Sequence, residues 1–334
     1  MTSGSIWKQM TFFAMPIFLG NLFQQLYNTV DSLIVGNFLG SSALAAVSSS
    51  GSLIFMLIGF LSGISAGAGV IVARFFGAGD EKNLQRAVHT TVAFGLVAGV
   101  LMTGVGVALS PQILRWMDTP ESVMRESVTY LQIYFAGSLG FVMYNVLVGI
   151  LQAVGDSRHP LYYLIVSSVI NLVLDLLFIT GFHTGVGGAA VATVISQIVS
   201  ALLCFWQLLR TKESYGLKIR KIRFDKGILV QIIKIGLPSG VQNSIIAFAN
   251  VIVQSNINAF GEMAMAGYGA YTKVEGFGFL PINSFTMALT TFVGQNLGAK
   301  QEERTRKGAR FGILAAVILA ELIGVVVLDR KSVV

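Results

Sequence analysis

Charged residues are scarce in this sequence. Asp, Glu, Lys and Arg make up 12% of its 334 residues, whereas a soluble globular domain carries about 25%. Apolar residues make up 54%, and the mean hydropathy is +0.73. The chain has too few charges to cover a water-exposed surface, so we predict an integral membrane protein.

Cysteine, proline and histidine are also rare. The single cysteine, Cys204, excludes an internal disulfide, and we interpret it as a small core residue. Six prolines argue against a disordered or collagen-like chain. The three histidines, His89, His159 and His183, are scattered and lack the spacing of a metal site.

Long apolar runs separated by short polar loops predict nine membrane-spanning helices, since one span needs about 20 apolar residues. The runs are 10–38, 44–75, 87–114, 128–153, 161–182, 187–209, 228–259, 264–297 and 309–328. We therefore expect an all-α membrane protein, a polytopic helical bundle. The glycine-rich run from Gly59 to Gly69 lacks the Lys of a phosphate-binding loop and predicts close helix packing.

Basic residues concentrate in the loops after the even-numbered spans. These are Arg74, Lys82, Arg86, Arg158, Lys212, Lys218, Arg220, Lys221, Arg223, Lys226, Lys300, Arg304, Arg306, Lys307 and Arg310. Arg115 and Arg125 are the main exceptions. This bias predicts a cytoplasmic amino terminus, and it explains the net charge of +7 without nucleic acid as a partner. The basic run 218–226 fits an orientation signal, with contact to anionic lipid as the alternative.

The chain also resembles itself. Pro238 opens span seven much as Pro16 opens span one, and Val72–Ala78 aligns with Val293–Ala299. Six spans separate the copies, so they share one orientation, which is typical of a parallel transporter repeat. The repeat predicts twelve helices in two pseudo-symmetric six-helix lobes, of which this chain supplies nine helices and an incomplete second lobe.

The predicted organisation follows from the repeat. Residues 1–210 form an amino-terminal six-helix lobe, 211–227 a basic cytoplasmic linker, and 228–328 three helices of the second lobe. Residues 329–334 would lie on the outer face, where Arg330 and Lys331 oppose the charge bias. We therefore expect a non-native tail there and a chain truncated at its carboxy terminus.

Four acidic residues lie within predicted spans: Asp31, Asp175, Glu275 and Glu321. Each is a functional candidate, because an acid at the bilayer centre costs about 2.5–3.5 kcal/mol on insertion scales. Gln24, Tyr27, Asn28 and Asp31 share one helix face, which must line a cavity or pack inside the bundle. Pro16 removes one backbone hydrogen bond of that helix and favours a bend.

Asp175 has Asn171 one turn earlier on its helix face. If Asp31 converges with them, the group makes a proton or cation site whose two carboxylates titrate as a pair. The alternative is that Asn171 and Asp175 only join helices by hydrogen bonds. Lys273 and Glu275 face different directions, and both substrate contact and structural pairing remain open for them. Glu321 is equally open between structure and function.

Several motifs, taken in order, resemble those of MATE (multidrug and toxic compound extrusion) transporters. They are Pro16 with Asp31, Phe75–Asp80, Gln152–Asp156, Asn171 to Asp175, and Ala192-Thr193. The resemblance extends to about residue 328. It implies twelve helices in two six-helix lobes, and export of drugs or toxic metabolites against an inward flow of protons or sodium ions.

The resemblance also implies roles for single residues. Asp31, Asn171, Asp175 and Thr193 match a cation-coupling site, which for Na⁺ would use Asp31, Asn171 and Asp175, and Pro16 matches the bending proline. We assign Gln24, Tyr27, Asn28, Lys273 and Glu275 to a substrate cavity for small organic cations or amphipathic drugs. We expect no catalytic residue, no cofactor besides H⁺ or Na⁺, and a monomer in a bacterial or archaeal cytoplasmic membrane. Gln242, Asn243 and Ser244 stand where some members have a coupling acid in span seven.

Three other functions compete with this prediction. A related flippase for lipid-linked oligosaccharides needs a strongly cationic cavity, whereas the intramembrane charges here are mostly acidic, with Lys273 the exception. A membrane-embedded enzyme for prenyl or phosphoryl transfer needs clustered acids that hold Mg²⁺, and a channel needs a symmetric filter or charged ring. Neither pattern is found, so the sequence predicts a transporter and not an enzyme.

Overall fold

The computed structural model describes the backbone of residues 1–117, 119–258, 260 and 262–329. Within these ranges, the side chains of 41–42, 44–46, 48–53, 55–58, 251, 254–255, 258, 262–266, 269–270, 273–274 and 326–329 lie outside the description. Besides a π-helical turn at Leu177–Gly181 and a 3-10 turn at Ile219–Lys221, this part of the chain contains ten α-helices. They are α1 (Ile6–Leu39), α2 (Ser41–Gly77), α3 (Glu81–Trp116), α4 (Glu121–Ala136), α5 (Ser138–Ala153), α6 (Arg158–Leu176), α7 (Val186–Arg210), α8 (Lys226–Asn258), α9 (Glu262–Gly298) and α10 (Glu302–Asp329).

The all-helical membrane fold predicted from the sequence is confirmed. Seven segments of the described helices are long and apolar enough to cross a membrane: Gly59–Gly77, Glu81–Trp116, Arg158–Gly181, Val186–Arg210, Lys226–Asn250, Glu275–Gly298 and Glu302–Val325. The pair α4 and α5 makes an eighth candidate if it is one bent span. Helix α1 is not among these segments because polar residues between Asn21 and Asp31 lower its hydropathy, although its 34 residues are long enough to span.

The fourth predicted span differs from the prediction. Instead of one helix over 128–153, the structure has two helices, α4 and α5, which meet at Gly137. The angle of the bend between them is 49°. A Cβ atom on Gly137 would overlap the side chain of Val194 in α7. Glycine therefore both weakens the helix at this point and lets the bend approach α7 closely.

Glycine pairs bring α2 and α8 into backbone contact. A Cβ atom on Gly63 would overlap the backbone of Gly240, and one on Gly67 would overlap Gly236. Small residues at such crossings allow membrane helices to pack by van der Waals contact. The close packing predicted for the run Gly59–Gly69 is confirmed, and its partner is the first helix after the interhelical linker 211–225.

The two segments aligned in the sequence repeat contact each other reciprocally. Gly77, at the end of α2, lies against the carbonyl oxygen of Gln295, and Gly298, at the end of α9, lies against that of Arg74. In the alignment Arg74 corresponds to Gln295 and Gly77 to Gly298. The contact is therefore pseudo-symmetric.

We call this end of the bundle the basic end. It comprises residues 1–5, 78–80, 154–157, 211–225 and 299–301, which include the start of the chain and the connections after α2, α5, α7 and α9. The predicted tail begins at Asp329, the last residue of α10, and its residues 330–334 lie outside the described part of the chain.

Candidate functional site

The polar stretch of α1 faces the interior of the amino-terminal helices. Gln24, Tyr27 and Asp31 are half-buried, whereas Asn28 is exposed at the edge of their shared face. The hydroxyl of Tyr27 lies within hydrogen-bonding reach of the side-chain amides of Gln24 and of Gln197 on α7. Helix α1 packs against α6 and also contacts α7, so this face meets two other helices.

Asp31 and Asp175 converge. Asp175 on α6 is fully buried, and its carboxyl group lies within hydrogen-bonding reach of the carboxyl group of Asp31. Oδ1 of Asp31 and both carboxyl oxygens of Asp175 have no donor among the described residues. Two ionised carboxylates only accept hydrogen bonds, so a bond between them requires a proton on one of them. The geometry suits a pair that shares one proton or binds one cation.

Amide groups near this pair are also unsatisfied. Asn171, one turn before Asp175, is 2% exposed, and its Nδ2 has no acceptor among the described residues. Oε1 of Gln197 likewise has no donor there. Leaving a buried polar group unpaired costs about 1–3 kcal/mol, so a cluster of them at one place indicates a site for an ion, a proton or a polar ligand.

Thr193 lies on α7 one turn before Gln197 and is half-buried. Its hydroxyl donates to the carbonyl oxygen of Ala189 on its own helix at 3.1 Å. The structure thus places Thr193 on the helix that borders the acidic pair, with a hydroxyl oxygen that can still accept a hydrogen bond or bind a cation.

Tyr130 was not predicted to belong to this site. It is a buried residue of α4, and it is close enough to Asp31 and Asp175 to interact electrostatically with both. Tyr134, one turn later, stacks on it with ring centroids 6.4 Å apart. The spacings Tyr130–Tyr134 and Thr193–Gln197 each mark one helix face, a signal that was present in the sequence but that ordinary packing also produces.

Pro16 lies inside α1, which continues without a break from Ile6 to Leu39. The turns around it pack against α9 in an apolar cluster that includes Phe13, Ile17 and Phe292. Asn21 Nδ2 donates to Ser284 Oγ of α9 at 3.1 Å. Helix α1 therefore contacts α9 near its proline and α6 at its acidic end, so a bend at Pro16 would change the relation between the two contacts.

The remaining predicted residues are not among the described contacts of the acidic pair. Glu275 of α9 accepts a hydrogen bond from Tyr271 Oη of the same helix at 3.2 Å, and Tyr271 stacks on Tyr268. The side chain of Lys273 lies outside the described part of the chain. Glu321 is exposed on α10. Among the described residues, no three His, Cys, Asp or Glu side chains are grouped as a metal cluster requires.

The chain is similar to known proteins over nearly its whole length. The sequence profile of the family described as MatE matches residues 16–177 and 238–331. The "Probable multidrug resistance protein YoeA" of Bacillus subtilis is 34% identical over 316 residues, which cover 92% of this chain and 68% of that protein. The "Probable multidrug resistance protein YpnP" of the same organism is 32% identical over 303 residues, or 91% of this chain and 68% of that protein.

The fold of this chain is also similar to that of a solved structure. It is described as the outward-facing conformation of a multidrug resistance MATE family transporter of the MOP superfamily. The TM-score is 0.91 at 25% sequence identity, and the match covers 98% of this chain and 73% of that one.

Proposed function

Because this chain belongs to the MATE family of membrane transporters, we propose that it exports cationic or amphipathic drugs in exchange for protons or sodium ions. The family resemblance drawn from the sequence motifs is thereby confirmed, and the protein is a transporter and not an enzyme. The two relatives named as multidrug resistance proteins support drugs as the substrate class.

The observation that carries the proposal is the convergence of half-buried Asp31 with fully buried Asp175. The two carboxyl groups lie within hydrogen-bonding reach of each other between α1 and α6, and neither has a basic partner among the described contacts. Such a pair exchanges a proton or a small cation readily, because repulsion disfavours the doubly ionised state. Carboxylate and amide oxygens of Asp31, Asp175 and Asn171 are also ligands that suit Na⁺.

Coupling to transport requires that the pair bias two conformations. Asp31 lies on the same helix as Pro16, and α1 contacts α9 beside that proline. Loading or emptying the pair changes the hydrogen bonding between α1 and α6, and the proline lets α1 respond by bending. The closed contacts at the basic end and the similarity to an outward-facing transporter support an outward-facing state for this conformation.

We also propose the lobe division and orientation expected from the sequence. Residues 1–210 form one lobe, 211–227 a cytoplasmic linker and 228–328 part of the second lobe, with a cytoplasmic amino terminus and a monomeric chain in the cytoplasmic membrane. The concentration of basic residues at the basic end supports this orientation. The fully buried Cys204 leaves little background for thiol labelling, so Lys212→Cys should react with an impermeant maleimide only from the cytoplasmic side, and Arg115→Cys only from outside.

Dye transport in everted vesicles tests the exchange directly. The native vesicles should take up a fluorescent organic cation under an imposed proton or sodium gradient. The gradient that drives uptake identifies the coupling ion. Asp31→Asn should abolish uptake, while Glu126→Gln, an exposed acid of α4, should leave it unchanged. If the folded native protein moves no dye under either gradient, the proposal is wrong and the flippase for lipid-linked oligosaccharides becomes the function to test.

A further inference from the structure

The linker between α7 and α8 is held tightly by the first turns of α3. Its backbone is fixed at three places: Gln85 Nε2 donates to the carbonyl oxygen of Gly216 at 3.0 Å, the backbone N–H of Lys218 donates to His89 Nε2 at 3.0 Å, and the backbone N–H of Asp225 donates to Thr90 Oγ1 at 3.0 Å. His89 and Thr90 are buried. These hydrogen bonds hold the backbone of the linker against α3. Its basic side chains therefore project from a backbone whose position is defined.

A cleft of about 680 Å³ lies between these turns of α3 and linker residues 220–225. Its basic lining residues are Lys82, Arg86, Arg220, Lys221 and Arg223. Two carboxylates, Glu81 and Asp225, also line it, and Asp225 already pairs with Arg86 at 3.8 Å. Side chains of Arg220, Lys221 and Arg223 are exposed. The cleft is thus strongly cationic, and its basic residues outside the Arg86–Asp225 pair are Lys82 of α3 and three residues of the linker.

The residues that neighbour the cleft in the chain are of the kind that lie at a membrane surface. Trp206, in the last turns of α7, is 47% exposed, and the Arg210 guanidinium lies over its ring at 4.4 Å from the centroid. Tryptophan favours the interface between hydrocarbon and headgroups. The linker that follows also exposes Ile219 and Phe224, which alternate with its basic residues. Exposed apolar and basic side chains on one segment are typical of chains that lie on an anionic bilayer.

We propose that this cleft binds the phosphate of an anionic phospholipid from the surrounding leaflet. Arg220 and Arg223 supply planar donors that bind phosphate oxygens in pairs, and Lys82 and Lys221 add charge around them. Ile219 and Phe224 contact the upper part of the acyl chains, which free phosphate lacks. This binding site is independent of the drug and the coupling ion.

Bound lipid would fix the start of α8. Asp225 caps that helix by accepting from the backbone N–H of Ile228 at 3.1 Å, and its own backbone N–H donates to Thr90 of α3. A lipid headgroup beside Asp225 and Arg223 therefore ties the helices that follow the linker to the membrane surface on the side of α3. The proposed lipid acts on the connection between the two groups of helices.

Lipid binding to the purified chain tests the proposal without any transport assay. Native mass spectrometry and thermal unfolding in detergent would compare added phosphatidylglycerol with phosphatidylcholine of the same acyl chains. We expect retention and stabilisation by phosphatidylglycerol only. The double variant Arg220→Gln with Arg223→Gln should bind it more weakly, by a factor on the order of ten.

Two controls separate this site from general charge effects. Arg115→Gln with Arg125→Gln removes the same charge from exposed positions at the opposite end and should bind phosphatidylglycerol like the native chain. Ile219→Ser with Phe224→Ser should weaken phosphatidylglycerol binding while leaving the basic residues in place. Unchanged binding by the Arg220 and Arg223 variant, or equal loss in the Arg115 and Arg125 variant, overturns the proposal.

A last comparison replaces the lipid with inorganic phosphate or glycerol phosphate. Neither should stabilise the native chain at the concentrations at which phosphatidylglycerol does. Equal stabilisation by the soluble anions would show a site for free phosphate, which contradicts a lipid site. If the double arginine variant does not fold, the single change Lys221→Gln replaces it, because the Lys221 side chain is exposed. This variant should also bind phosphatidylglycerol more weakly than the native chain.

Discussion

Gln295 of α9 donates from Nε2 to the backbone carbonyl of Ala153 at the end of α5, at 2.8 Å. The same side chain is fully buried, and its Oε1 accepts from the amino group of Met1 at 2.7 Å. One amide thus joins α9 to α5 and to the start of the chain. Arg304 adds to this junction by donating to the carbonyl oxygen of Gly4 at 2.7 Å. A transporter that opens at the basic end must break these bonds.

Gln295→Ala should favour opening at the basic end. The change leaves the Ala153 carbonyl without its donor, at a cost of about 1–3 kcal/mol. We expect a lower Tm and faster maleimide labelling of Ser157→Cys, a buried residue of the neighbouring connection. Gln112→Ala, at an exposed position of α3, is the matched control and should change neither quantity. Labelling at the native rate would show that Gln295 does not hold this end closed.

Gly67→Ala and Gly104→Ala should have opposite effects on stability. A Cβ atom at Gly67 overlaps the backbone of Gly236, so we expect a loss of about 1–3 kcal/mol from overpacking. At Gly104 nothing lies within 4 Å of the added atom, and alanine should stabilise α3 by about 0.4–1 kcal/mol. Thermal unfolding of both variants in one detergent measures the contrast. A stable Gly67→Ala protein would contradict the contact between α2 and α8.

Asp175→Asn should separate folding from transport. An asparagine at this position donates a hydrogen bond to Asp31 without a shared proton, so the contact between α1 and α6 stays intact. We expect a Tm equal to or above the native value, together with dye transport at background. Transport at the native rate by this variant would exclude the pair as the coupling site.

Asp80 should give a pH-dependent contribution to stability. It caps α3 by accepting from the backbone N–H of Asn83 at 3.1 Å, and this bond lowers the pKa of its carboxyl below the usual value of 3.8. A group whose pKa is lower in the folded state stabilises the protein at pH values above its unfolded pKa. This contribution to stability is lost as the pH falls through the folded-state pKa.

The measurement is thermal unfolding of Asp80→Ala against pH. The variant should have a lower Tm than the native chain at neutral pH. The difference should begin to shrink as the pH falls below the ordinary value of 3.8, and it should vanish as the pH falls through the lower folded-state pKa. A difference that persists unchanged in strong acid would exclude the cap as its cause.

Much of the fold could be predicted because apolar runs are local. Each predicted span corresponds to a helix or, at Gly137, to a bent pair, since a run of apolar residues long enough to cross the bilayer must satisfy its own backbone as a helix. The bend itself was missed because a single glycine in an apolar run does not reveal whether a neighbour such as Val194 approaches it.

The candidate site was only partly predictable. Asp31, Asn171 and Asp175 stood out because acids and amides are costly inside a membrane. Tyr130 did not, because a buried tyrosine on an amphipathic helix face is ordinary packing unless its neighbours are known. Glu275 looked like Asp31 in the sequence, yet its contact is Tyr271 on its own helix.

The sequence by itself determined that this protein is helical, membrane-embedded and built around a few intramembrane acids, because hydropathy and helical spacing depend only on residues near one another in the chain. Tertiary structure alone decided that Asp31 meets Asp175, that Gly77 and Gly298 pack reciprocally, and that α3 holds the linker. These relations depend on how distant helices cross, and helix crossings follow from the packing of whole surfaces rather than from any local pattern.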